Sequence, residues 1–241
     1  GEELLTEEAE FIVENNIGGV ILFDRNLQSI EQTHKLISDI QQLRYQLPDQ
    51  TPLFISVDME GGRVHRMKEP FTQWPALKNL GDIESSSVCF QFTQYMGKEL
   101  KSIGINLDYA PCVDVLTNPE NQVIGDRSLS KDSEVVSKLA SALVRGYIKS
   151  DILSCAKHFP GHGFTSVDSH HDLPVDQRNL KELEDKGDLE PFKRVIKSRV
   201  DMIMTAHIKF PNIDPQHPVT LSPLFIGQFL KGALRYRAVS Y

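Results

Sequence analysis

The sequence predicts an α/β fold with a parallel sheet, either a closed eight-stranded barrel or an open doubly wound sheet. Short apolar runs alternate with longer stretches of helical spacing, the pattern of a parallel sheet covered by helices. The residue types able to do chemistry cluster just past the apolar runs: Asp58 after the second, Lys157 and His158 after the fourth, His207 after the fifth. Barrels and doubly wound sheets both place their sites at that end of the strands. No Gly-x-Gly-x-x-Gly follows a first strand and no Walker pattern occurs, which weakens the doubly wound, nucleotide-binding alternative.

The elements follow in order. The chain opens on a helix, Leu4–Glu14, which in such a fold follows a strand. Buried strands are expected at Gly19–Phe23, Leu53–Val57, Ile105–Tyr109, Leu153–Ala156 and Met202–Ala206, with a further start at Ala238–Val239. Their near-continuous apolar character suits a sheet covered on both faces. Helices are expected at Ile30–Leu43, Val88–Ile103, Val135–Ile148, Leu180–Ile196 and Leu224–Leu234. Asp132 and Glu134, just after Ser130, mark a helix start. The strand-to-strand pitch is about 44 residues, so eight units need roughly 350. About five and a half units are present. A single domain over residues 1–241 is therefore expected, as a barrel lacking its first strand and its last one to two βα units.

Composition narrows the function. Lys plus Arg is 26 against 33 for Asp plus Glu, a formal charge of −7. With no long basic run, a nucleic-acid surface is not expected. A hydrophobic share of 40% with 24% charged residues is ordinary for a globular domain. No apolar stretch approaches the roughly 20 residues of a membrane-spanning helix. The acidic N-terminus is not a signal peptide, although a leader lost upstream would be invisible. Cys89, Cys112 and Cys155 are odd in number and widely spaced. They suit a reducing compartment and supply neither a disulfide framework nor a zinc spacing.

The densest chemistry runs from Lys157-His158-Phe159-Pro160-Gly161-His162-Gly163 to Asp168-Ser169-His170-His171-Asp172. Four of the chain's eight histidines fall here, more than a polar loop with satisfied core histidines would hold. Pro160, Gly161 and Gly163 imply a sharply turned loop able to carry His170 back over the strand end. His170 can give or take a proton near neutral pH, and Asp168 can fix its tautomer and favour its charged form. Lys157 and His158 can donate to substrate hydroxyls. A zinc or iron site is the competing chemistry. Against it, no His-x-His pair sits on a strand, and His158-x-x-x-His162 spans a Pro-Gly turn.

A second constellation is Asp58-Met59-Glu60-Gly61-Gly62-Arg63-Val64-His65-Arg66. The strand delivers Asp58 to the mouth of the fold, the glycines permit close backbone approach, and Arg66 faces the same cleft. A carboxylate accepting two hydroxyl hydrogens is a common grip on a sugar ring; a strand-end salt bridge is the plainer reading. Gly125-Asp126-Arg127-Ser128 and Asp114 are ambiguous alone. Trp74 is better explained by packing than as a sugar platform.

Taken together, these runs resemble glycoside hydrolase family 3, in particular its bacterial β-N-acetylglucosaminidases of the NagZ type. Ala110-Pro111-x-x-Asp114 and Met204-Thr205-Ala206-His207 add to the match, which extends from about Leu5 to the end. The resemblance implies a (β/α)8 barrel and a retaining, exo-acting hydrolysis. The bond cut would be that of a terminal β-linked N-acetylglucosamine on muropeptides, in peptidoglycan recycling. It implies His170 as acid/base with Asp168 as its partner, and Asp58, Arg66, Arg127, Lys157 and His158 as sugar-binding residues. It implies no cofactor and no metal. It further implies a cytoplasmic place, or an extracellular one if a leader was lost, and a monomer when complete. The family's nucleophile is an aspartate in a pattern like Gly-Val-Val-x-Ser-Asp-Asp; here the chain reads Ala238-Val239-Ser240-Tyr241. Asp201 and Asp214 do not sit at the matching strand end. This polypeptide alone is therefore expected to hydrolyse at background, and the alternatives are a catalytically dead N-acetylglucosamine-binding remnant or a metal-dependent barrel hydrolase.

Overall fold

The computed structural model describes residues 1–165 and 172–240. Six parallel strands form one sheet: β1 (Gly19–Leu22), β2 (Phe54–Val57), β5 (Leu107–Asp108), β6 (Leu153–Phe159), β7 (Met202–Thr205) and β8 (Val239–Ser240). Between β2 and β5 lies a small antiparallel hairpin, β3 (Met59–Gly61) with β4 (Val64–His65). In the main sheet every strand adds beside its predecessor in chain order. That order has no reversal point, which a doubly wound sheet requires and a barrel sheet lacks.

Helices connect the strands: α1 (Thr6–Glu14), α2 (Ile30–Gln42), α3 (Leu77–Ile83), α4 (Ser86–Ser102), α5 (Ser133–Ser150), α6 (Leu180–Asp185) and α7 (Glu190–Lys197). A π-type helix covers Leu224–Ala233. The capping follows side-chain chemistry: Ser29, Ser85, Asp132 and Asn179 accept from first-turn amides of α2, α4, α5 and α6.

The two-residue period of the strands sorts the side chains. Ile55, Val57, Ala156 and Ile203 face the helices and belong to the large core. Leu107, Tyr109, Cys155 and Met202 form a second, smaller cluster on the opposite face. Ser56 shares that inner face, its hydroxyl 3.3 Å from the Tyr109 phenol. Two residues on along β2 and β6, the same face carries Asp58 and Lys157, just above the apolar floor.

Two expectations need correction. The stretch expected as one helix over Leu180–Ile196 is two, α6 and α7. Gly187 takes φ +80° where an added Cβ would lie 2.4 Å from the Ser133 hydroxyl, and Asp188 turns inward to Arg178. The third strand is two residues rather than Ile105–Tyr109. The Asn106 side chain takes over one ladder bond, accepting from the Ile55 amide at 2.8 Å and donating to the Leu53 carbonyl at 2.9 Å, while its own amide still donates to the Ile55 carbonyl at 3.0 Å. The β3–β4 hairpin and α3 were not anticipated.

Candidate active site

The hairpin works because residues 61 and 62 lack a Cβ. Both have positive φ (+88° and +58°), and a Cβ would meet the Pro75 carbonyl at 2.3 Å and Ala76 Cβ at 2.6 Å respectively. The tight turn brings Glu60 back over the sheet, one pleat beyond Asp58. Arg63 then fastens the hairpin to the 122–127 loop, donating to the Gln122 carbonyl at 2.7 Å and pairing with Asp126 at 2.9 Å. Arg127 is thereby held over the same strand ends.

These elements build a compact ion network. Lys157 Nζ lies 2.6 Å from Asp58 Oδ1 and 2.7 Å from Glu60 Oε1. Arg127 grips Glu60 with both faces of its fork, Nη2 to Oε1 at 2.8 Å and Nε to Oε2 at 2.9 Å. Glu60 is buried, which by itself would raise its pKa. The charges of Lys157 and then Arg127 outweigh that and hold it at about 2. Burial likewise opposes the charge on Lys157, but Glu60 and Asp58 raise its pKa above the usual lysine value.

His158 is held differently from the expectation. Its Nδ1 sits 2.6 Å from Asp114 Oδ2, and its Nε2 lies 3.3 Å from Arg127 Nη2. A guanidinium only donates, so Nε2 must be a bare acceptor and Nδ1 must carry the hydrogen. Burial first of all, against the pull of Asp114, lowers the pKa of His158 to about 4. The close contact with Asp114 is therefore a hydrogen bond from a neutral imidazole. His158 does not present a donor to the cavity, as the sequence had suggested. Asp114 is wholly buried, and its Oδ1 also accepts from the backbone amides of His158 at 3.2 Å and His162 at 2.7 Å.

A cavity of about 220 Å³ opens above this network. Asp58, Arg66, Arg127, Lys157 and His158 all line it, so the five residues expected to bind the sugar share one space. Val64, Val123, Met204 and Ala206 give it apolar patches. The Arg66 Nε has no partner among the described residues, and its guanidinium stands 5.9 Å from the Phe23 ring. Asp168 and His170 lie outside the described residues. A larger groove between α1 and β1 is lined by Phe11, Ile21 and Leu36, remote from these groups. Trp74 packs edge-on to Phe92 at 5.2 Å and donates to Glu99, consistent with a packing role. Asp201 accepts from Ser154, and Asp214 from Ser222, so both are structural.

Cys112, Asp114 and His158 bring potential metal donors within 4.8 Å of one another. Their chemistry is that of a hydrogen-bond network. Burial keeps the Cys112 thiol protonated, the thiol donates to Asp114 at 3.3 Å, and both Asp114 oxygens are engaged.

Glu60 and Asp114 are the site residues not singled out as such from sequence. The signal for Glu60 was its pleat position two residues past Asp58. Asp114 carried only its place after a strand and its part in the Ala110-Pro111-x-x-Asp114 run.

Residues 3–239 match the Glycosyl hydrolase family 3 N terminal domain. The chain belongs to glycosyl hydrolase family 3. It is 39% identical to a β-hexosaminidase of Neisseria meningitidis over 99% of this chain and 66% of that protein. A β-hexosaminidase of Hydrogenovibrio crunogenus is 38% identical over 95% of this chain and 63% of its own length. The chain thus spans somewhat under two thirds of these relatives, 63% and 66%. Among solved structures, a family 3 β-N-acetylglucosaminidase from a Paenibacillus species superposes with a TM-score of 0.95 at 38% identity, covering all of this chain and 45% of that one. NagZ from Neisseria gonorrhoeae, in complex with N-trifluoroacetyl-D-glucosamine, gives 0.92 at 38% identity, covering all of this chain and 70% of that one. The fold is accordingly the family's barrel type, of which β1, β2 and β5 to β8 are consecutive strands; among the described residues β1 and β8 are its two unpaired edges.

Proposed function

We propose that this chain provides the sugar-gripping part of an exo-acting, retaining β-N-acetylglucosaminidase that trims terminal N-acetylglucosamine from muropeptides in peptidoglycan recycling. One observation carries the reading: Asp58, Lys157, Arg127 and Arg66 converge on a cavity of about 220 Å³, below the usual size of a pocket for drug-sized ligands. Such a space suits one terminal ring. The relatives' names and the amino-sugar ligand of the gonococcal structure support the sugar class.

In this reading Asp58 accepts hydroxyl hydrogens while Lys157 and Glu60 hold it in place. Arg66, unpartnered at Nε, donates to the sugar. His170, paired with Asp168, protonates the leaving oxygen and then, as neutral imidazole, takes the proton of the attacking water. Double displacement also needs a carboxylate nucleophile. Asp58, the one carboxylate among the described lining residues, is committed to Lys157. A cytoplasmic place is part of the proposal, supported by the three free cysteines.

The test is leaving-group dependence in the whole protein. His170→Ala should remove most turnover of N-acetylglucosaminides with poor leaving groups and spare activated aryl ones, which need less proton donation. Equal loss on both removes His170 from the acid role. Sugar binding without turnover in the unaltered whole protein would identify a binding remnant instead.

A further inference from the structure

His207 follows β7 and lines the same cavity. The sheet order β2, β5, β6, β7 puts it across Lys157 and His158 from Asp58. Its ring is exposed, and its contacts select one tautomer. Nδ1 lies 2.6 Å from Thr220 Oγ1. Thr220 donates its single hydroxyl hydrogen to the Ala206 carbonyl at 3.1 Å. It accepts from the Thr205 hydroxyl at 3.2 Å. With that hydrogen spent, Thr220 can only accept from His207, so in the neutral ring Nδ1 carries the hydrogen and Nε2 is the acceptor.

Among the described lining residues, side chains with a free acceptor are few. Arg66, Arg127 and Lys157 only donate. His158 Nε2 is already taken by Arg127; among the described lining side chains that leaves Asp58 on the β2 side and the unpartnered Nε2 of His162 in the loop after β6. A sugar hydroxyl or amide brings a hydrogen that needs an acceptor on the β7 side as well. We propose that His207 Nε2 accepts a hydrogen bond from the bound amino sugar, on the ring edge opposite the one held by Asp58. Thr220 acts as the positioning residue that fixes the tautomer. This rests on the sugar-binding reading of the cavity given above.

The experiment is titration of N-acetylglucosamine into the protein, followed by NMR shifts or calorimetry, with melting temperatures recorded for each variant. His207→Phe and Thr220→Val should each weaken binding roughly three- to tenfold, the range of one lost hydrogen bond. His207→Gln, which keeps an acceptor near the Nε2 position, and Thr220→Ser, which keeps the hydroxyl, should stay within about twofold. A structural role would make loss of affinity follow loss of melting temperature and would give no rescue by Gln or Ser. Unchanged affinity in His207→Phe or in Thr220→Val, or a loss in His207→Gln as large as in His207→Phe, overturns the proposal. Should the unaltered protein ignore N-acetylglucosamine, the cavity reading itself fails, and this proposal with it. Binding that is indifferent to His207 defeats this proposal alone.

Discussion

Replacing Glu60 by Gln removes one charge and keeps the shape. In the native site Glu60 sits between Lys157 at 2.7 Å and Arg127 at 2.8 and 2.9 Å, with 1% of its side chain exposed. The amide can keep at most part of the hydrogen bonding, and its NH2 faces groups that only donate. Lys157 retains Asp58, whose side chain is 22% exposed; Arg127 loses its bidentate partner outright. Breaking a buried pair by neutralising one member costs roughly 3–5 kcal/mol, because the other charge stays desolvated. At about 2–4 °C per kcal/mol for a domain of this size, the melting temperature should fall by roughly 6 to 20 °C. Calorimetry or circular-dichroism melting at neutral pH measures it. A Glu60→Gln, Lys157→Met double variant should lose less than the sum of the two single variants, because the groups share one network. A single variant melting within about 2 °C of the parent would refute the argument that these charges are desolvated and mutually dependent.

Acid should destabilise the fold in a defined window. His158 is lowered from 6.5 to about 4, first by burial, and Glu60 from 4.5 to about 2 by its cations against burial. In both cases the unfolded chain binds protons more readily, so their contribution is full above about pH 6.5 and falls as pH drops through these ranges. His158→Gln should flatten the upper part of the slope; a melting temperature constant from pH 7 to 4.5 would contradict it. Tyr147→Phe should cost roughly 1–3 kcal/mol by urea denaturation. The phenol donates to wholly buried Asp108 at 2.8 Å, whose other oxygen accepts from the Met59 amide at 2.9 Å. An unchanged midpoint would show that this carboxyl does not need the phenol.

The strands were legible because each reads as an apolar run, even where Ile21 of β1 and Phe54 of β2 are exposed; Gly19–Leu22 and Met202–Thr205 lie within the expected spans. What was hidden depends on partners far away in the chain. Asn106 standing in for a ladder bond shortened β5, and Gly187 with the inward turn of Asp188 split a helix that periodicity alone runs together. At the site, residue type pointed to Asp58, Lys157, Arg66, Arg127 and His158. It did not reveal that Glu60 welds Lys157 to Arg127, nor that Arg127 forces His158 into the acceptor state. Both follow from contacts 31 to 97 residues apart in sequence (158 − 127 and 157 − 60), which no local pattern encodes.

The most direct measurement is a crystal structure of the protein soaked with N-acetylglucosamine. The account predicts one ring in the cavity between the ends of β2 and β7, with hydroxyls on Asp58 and Arg66. A sugar seated instead in the groove between α1 and β1, or no bound sugar at saturating concentration, would contradict it.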